Sequence, residues 1–217
     1  MVIGGWAVRA IAGESHRRYT LDMDCAADPK NLPGIEKKLN SLGLKMESHE
    51  WGLLFYKDYV PHDDTPDEVK EKAKEIKLRI EVSPPIIKEM ATHHYFEFGL
   101  ENCITASIPY RGRPGAVAVK VPPVEDMAAV KIGLPVDYKN NFDSAVLLRI
   151  SDIDDVVGSV LKNDDWKDIV LRRIPKLTGR ARDKSRIENT LMLNAGISAS
   201  AYVKQLTEIK RQLKTHI

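Results

Sequence analysis

Cysteine is nearly absent from this chain: Cys25 and Cys103 are the only two among 217 residues. That excludes a small scaffold held by several disulfides. Long apolar runs are missing too, and no stretch approaches the roughly 18 residues needed to cross a bilayer. The N-terminus lacks the basic-then-apolar pattern of a secretory leader. We therefore expect no membrane attachment and a place in the reducing cytoplasm. An excess of one charge is also lacking, since 33 basic and 31 acidic residues leave a net +2; bulk charge gives no argument for a nucleic-acid partner. The six histidines show no zinc-like spacing. His93 and His94 are adjacent, so on a strand they would face opposite sides, and a structural or exposed role is expected.

What is present is ordinary for a globular protein, with 43% hydrophobic and 29% charged residues. The length suits one domain, or a compact core with a helical annex. Against this background two short segments stand out. Gly4-Gly5-Trp6-Ala7-Val8 joins a glycine pair to an apolar run, and Thr20-Leu21-Asp22-Met23-Asp24 places two carboxylates two residues apart. If the second segment is extended, Asp22 and Asp24 share a face while Leu21 and Met23 point into packing. Paired carboxylates repel, and a shared cation keeps both ionised. A hard ion such as Mg²⁺ (or Mn²⁺) takes oxygen ligands, commonly one or two carboxylates plus substrate phosphates.

A third acid extends the pattern. Lys77 to Val82 reads as a strand with Leu78, Ile80 and Val82 on one face and Glu81 on the other, ended by Pro84-Pro85. Asp22, Asp24 and Glu81 are thus candidate metal ligands, of the kind that assist phosphoryl or nucleotidyl transfer. The glycine pair is either a plain tight turn or a phosphate cradle at a helix start, where N–H groups and the helix dipole favour anions.

The order glycine pair, Asp-x-Asp, lone acid resembles the polymerase-beta-like nucleotidyltransferase superfamily. Two branches are closest in pattern, the AbiEii/AbiGii-type toxin nucleotidyltransferases and the small antibiotic nucleotidyltransferases. Pro122-Pro123-Val124-Glu125-Asp126 through Lys131, and the helix-like Lys139 to Leu148 with Asp143, resemble successive helices of the toxin branch. The resemblance spans residues 2 to 150. It implies a mixed α/β (α+β) sheet flanked by helices, with a nucleotidyltransferase core over residues 1–120 and a helical C-terminal region over 121–217. It further implies a nucleoside triphosphate held by Gly4, Gly5, Thr20, Lys131 and Asp143, and catalysis by Asp22, Asp24, Glu81 and Lys131. The chain departs from the family pattern at Gly5, where many members carry a serine, at Glu81, where Asp is common, and at Asn140, where an acid is common. Relatives also commonly carry a helix ahead of the first strand. These departures keep a second reading open: a nucleotide- or partner-binding module of a toxin–antitoxin pair, with little turnover. The antibiotic branch would need an acidic pocket, and Asp63, Asp64 and Asp67 are too loosely placed to form one.

Along the chain we expect a helix over Trp6 to Ile11 and another over Pro33 to Leu42. In the second, Asn31 is the candidate cap and Ile35, Leu39 and Leu42 form the apolar stripe. Strands are expected at Trp51 to Tyr56 and Ala116 to Val121. A capping box at Thr65 to Glu68 opens a further helix to about Ile76. Cys25 is expected to pack in the core. Arg111 and Arg113 flank a turn and suit either a phosphate or solvent. A lone lysine on a helix ordinarily faces water; only the resemblance sends Lys131 to the phosphates. In the tail, Arg172, Arg173, Lys176, Arg180, Arg182, Lys184 and Arg186 are opposed in their span only by Asp183. Such a cluster suits RNA, a cognate protein partner or plain solvation. Thr190 to Tyr202 carries no charge and is expected to pack the tail onto the core.

Overall fold

Alternation of apolar and polar residues sets the central sheet. The computed structural model describes residues 1–16, 20, 22–60, 70–71, 76–88, 94–109 and 114–216. Its main sheet has four strands in the order β1-β4-β3-β2: β1 (Asp22–Ala26), β2 (Lys45–His49), β3 (Gly52–Asp58) and β4 (Lys77–Ser83). β1 and β4 run parallel, and the other neighbours are antiparallel. Met23, Cys25, Ile80, Val82, Leu53, Phe55 and Met46 fall on one face by this register. That face is covered by α2 (Leu32–Ser41) through Ile35 and Leu39, around the fully buried Phe55. The opposite face carries Asp22, Asp24, Arg79, Glu81, Tyr56 and Glu47 around a single leucine, Leu54, and is largely polar.

Two details of α2 differ from expectation. The helix ends at Ser41, so Leu42 lies in the following turn, 54% exposed and off the stripe. Asn31 occupies the cap position without a side-chain cap bond; Asp28 instead accepts from the Lys30 N–H at 3.0 Å in the preceding 3₁₀ turn. Two smaller ladders follow: β5 (Ile86–Lys88) with β6 (Tyr95–Glu97), and β7 (Ile104–Pro109) with β8 (Ala116–Val121). Of the helix expected from Thr65 to about Ile76, only Lys70 and Glu71, both helical, and Ile76 are described; His93, the acids at 63, 64 and 67, and the arginine turn at 111–113 lie outside the described residues.

The helical part begins with α1 (Gly4–Ala12) and continues in α3 (Val124–Gly133), α4 (Tyr138–Leu148), α5 (Ile153–Leu161), α6 (Asp164–Arg182), α7 (Ile187–Asn194) and α8 (Ala199–Thr215). α3 is buried on all sides from Asp126 to Gly133, which explains why its sequence shows no polar stripe. One large core gathers Ala7 and Val8 of α1, Met127 and Ile132 of α3, Phe142 and Leu147 of α4, Trp166 of α6, and Tyr202 and Leu206 of α8. Each large apolar side chain so buried contributes about 1.5–3 kcal/mol.

The uncharged tail segment packs as expected, through Met192, Ile197 and Tyr202. A buried polar network locks it further. Tyr202 Oη donates to Asn141 Oδ1 at 3.0 Å and lies 2.6 Å from Ser144 Oγ, while Asn141 Nδ2 donates to Glu188 Oε1 at 3.2 Å. Arg180 of the basic cluster turns inward to pair with that same Glu188 oxygen, so it leaves the solvated basic face.

Candidate functional site

The polar face of the sheet meets the start of α1 at a cavity of about 320 Å³. Gly4, Asp24, Glu81, Lys131, Asn140 and Trp51 contribute to its wall, together with apolar Ile87, Phe98, Met127 and Leu134. Its volume lies at the small end of the range typical of small-molecule sites.

Local structure explains why these residues converge. Asp24 pairs in register with Glu81 across the parallel β1–β4 ladder, so both carboxylates leave the sheet side by side on the same face. Asp22 stands one pair earlier on that face, opposite Arg79, and does not line the cavity. Gly4 opens α1 with φ of 64°, and a Cβ there would lie 1.9 Å from Asp24 Oδ2. Only glycine permits this approach of helix start to carboxylate. Ile3, which precedes it, contributes no side-chain cap, and the first N–H groups of a helix have no partner within the helix itself. Gly5 is buried in the first turn behind Gly4.

Lys131 does not face water as a lone helical lysine ordinarily would. It is 5% exposed, with Nζ 3.2 Å from Asn140 Oδ1 and 3.0 Å from Asp143 Oδ2. Asp143 is fully buried behind it, and its other oxygen lies 3.0 Å from His16 Nε2. His16 is itself buried, and its Nδ1 has no hydrogen-bond partner. A chain of charge and hydrogen bonds therefore runs from the cavity wall into the core: Lys131, Asp143, His16. Low dielectric strengthens such a chain, and severing it leaves an uncompensated charge.

Nothing in the sequence marks His16, whose partner lies 127 positions away. Trp51, expected to open a strand, stands in the turn before β3, and the departure at Asn140 gives no hint that its side chain holds Lys131. Thr20 precedes β1 as a half-buried residue outside regular structure, away from the cavity lining. Cys25 packs against the smaller core as expected, and burial, with Asp24 adding to it, pushes its thiol up to about 11. His94 meets the exposed Asp165 at 3.3 Å, a surface pair.

Asp24 and Glu81 supply the oxygen donors a hard cation prefers, and two carboxylates with substrate phosphates suffice for Mg²⁺. Among the described residues no group of three or more His, Cys, Asp or Glu side chains is gathered closely enough to hold a metal ion. The two carboxylates fit an ion shared with substrate phosphates. No protein-family model matches the chain, and no curated protein matches its sequence. Among the described residues, no helix is long and apolar enough to cross a membrane.

Proposed function

We propose that the protein is a metal-dependent nucleotidyltransferase of the polymerase-beta-like kind, moving a nucleoside monophosphate from a nucleoside triphosphate to a hydroxyl acceptor. The observation that carries this reading is the convergence of Gly4, Asp24, Glu81 and Lys131 on one cavity. The start of α1 and the Lys131 ammonium receive the triphosphate, where fixed N–H dipoles and a positive charge stabilise anionic oxygens. Asp24 and Glu81 would hold Mg²⁺ or Mn²⁺, with Asp22 adjacent on the same face. When bound, such an ion neutralises phosphate charge and polarises the reacting phosphorus. The acceptor oxygen bonds to the α-phosphorus as the bond to the bridging oxygen breaks. Pyrophosphate leaves, and Glu81 accepts the hydroxyl proton. Asn140 and Asp143 fix the lysine's direction. The acceptor is an RNA such as tRNA, or a protein, and the reaction belongs in the cytoplasm.

A label-transfer assay tests this. Wild-type protein is incubated with each α-labelled ribonucleoside triphosphate, Mg²⁺, total RNA and total cell protein, beside Asp22→Ala and Asp24→Ala. Label on one macromolecule class, lost in both variants, is the expected result. Full transfer by either variant would overturn the site assignment. The glycine at position 5, which has no hydroxyl for phosphate, favours the second reading: a binding module of a toxin–antitoxin pair. Mg²⁺-dependent nucleotide binding without transfer is its signature.

A further inference from the structure

We propose that Trp51 is the platform on which the nucleotide's base stacks, an assignment that rests on the nucleotide-binding reading above. The cavity wall is lined by two chemically distinct groups of residues. Gly4, Asp24, Glu81 and Lys131 are suited to phosphates and metal, whereas Ile87, Phe98 and Trp51 offer apolar surface. A nucleotide has the same division, with a charged chain at one end and a flat, weakly polar ring at the other.

Trp51 occupies the turn between β2 and β3 and is 44% exposed while lining the cavity. Leaving so large an aromatic open forgoes much of its burial energy. Its ring is nevertheless held: His49 stacks on it with centroids 5.0 Å apart and planes 7° from parallel. The hairpin that carries it is also fixed in place. Gly52 has φ of 147°, and a Cβ there would sit 2.2 Å from the Val82 carbonyl oxygen. Glycine therefore lets the start of β3 press against β4 beside Glu81 and Ser83. A braced aromatic ring is set beside the carboxylates, with much of its surface still open.

Stacking on an aromatic ring tolerates every base, because each has a π-face. Trp51 therefore supplies affinity with little base selectivity, and purines bind somewhat more tightly than pyrimidines through their larger rings.

The test compares ATP with inorganic tripolyphosphate, which carries the charges without the base. Both are titrated with Mg²⁺ against full-length wild type, Trp51→Phe, Trp51→Ala and Asp24→Ala, with circular dichroism confirming the fold of each. Tryptophan fluorescence and calorimetry read binding. ATP is expected to quench wild-type fluorescence, and the ATP-dependent part of that quenching disappears in Trp51→Ala. Trp51→Ala should weaken ATP about 5- to 100-fold, leave tripolyphosphate unchanged, and be largely rescued by Trp51→Phe. Equal ATP affinity in wild type and Trp51→Ala would overturn the platform while leaving the nucleotide site standing, provided Asp24→Ala still weakens both ligands. Absence of ATP and tripolyphosphate binding by the wild type would overturn both readings together.

Discussion

Gly4 shows how closely the cavity depends on single atoms. Its positive φ and the 1.9 Å approach of a hypothetical Cβ to Asp24 Oδ2 make alanine doubly unfavourable. The left-handed backbone alone costs a non-glycine residue about 1–2 kcal/mol, and the methyl must also push the carboxylate aside. Gly4→Ala should therefore lower stability by at least that amount in urea titration and reduce label transfer more steeply than stability. A variant as active as wild type would show that Asp24 need not stand where it does. Asp143 makes the complementary case. Asp143→Ala leaves Lys131 buried without its carboxylate and His16 without its acceptor, and removing one partner of a buried pair costs about 3–5 kcal/mol. His16→Asn, which retains a donor, should lose less stability than His16→Phe, and the two should differ in kcat more than in KM. The same loss from both replacements would reduce His16 to packing.

The elements differ in how plainly the sequence announced them. β1 and β4 were legible because Asp-x-Asp and Leu-x-Ile-x-Val alternate with the pleat, and the same alternation placed Asp24 and Glu81 on one face once the strands paired. Their in-register parallel pairing was not legible, since it is made by chain segments far apart. α3 hid its lysine for another reason: a helix buried on every side has no polar stripe, so Lys131 looked like a solvated charge. The tail's packing was foreseen from its uncharged run, but not the polar network beneath it. There, burial works to raise the Glu188 carboxyl, and bonds from Arg180, its own backbone and Asn141 outweigh that effect and hold it below its ordinary value. A carboxyl depressed in the folded state stabilises the fold above its unfolded pKa, about 4.3 for Glu. That contribution is lost as pH falls through the folded value. The Glu188 contribution should accordingly stay level between about pH 7 and 5 and decline below about 4. Glu188→Gln should start lower at neutral pH and show a shallower acid decline. Parallel acid limbs in the two proteins would remove Glu188 from the account.

At the scale of the whole molecule the question is what the basic tail does for a cavity on the polar face of the sheet. The core runs without interruption from Val8 of α1 to Leu213 of α8, so the tail braces the site as well as presenting charge. On α6, Arg172, Lys176 and Arg182 are exposed, with exposed Pro175 and Gly179 between them, and Lys184 and Arg186 extend the charge past the helix end. Arg180 is withdrawn to Glu188, and Arg186 is shared with Asp183 at 3.0 Å. The usable stripe is therefore narrower than the sequence cluster, built chiefly on Arg172, Lys176, Arg182 and Lys184. If that stripe holds an RNA acceptor, each phosphate it neutralises on a single strand contributes about 0.7 to the slope of log affinity against log salt. Replacing Arg172, Lys176 and Arg182 together by Glu should flatten the slope by roughly 2 and raise KM for RNA. Binding of ATP should stay unchanged, because the cavity lies elsewhere. The surface position of all three side chains predicts an unaltered melting temperature within a degree or two. An RNA affinity and salt slope equal to wild type would assign the stripe to solvation or to a protein partner, and would direct the search for the acceptor to protein hydroxyls.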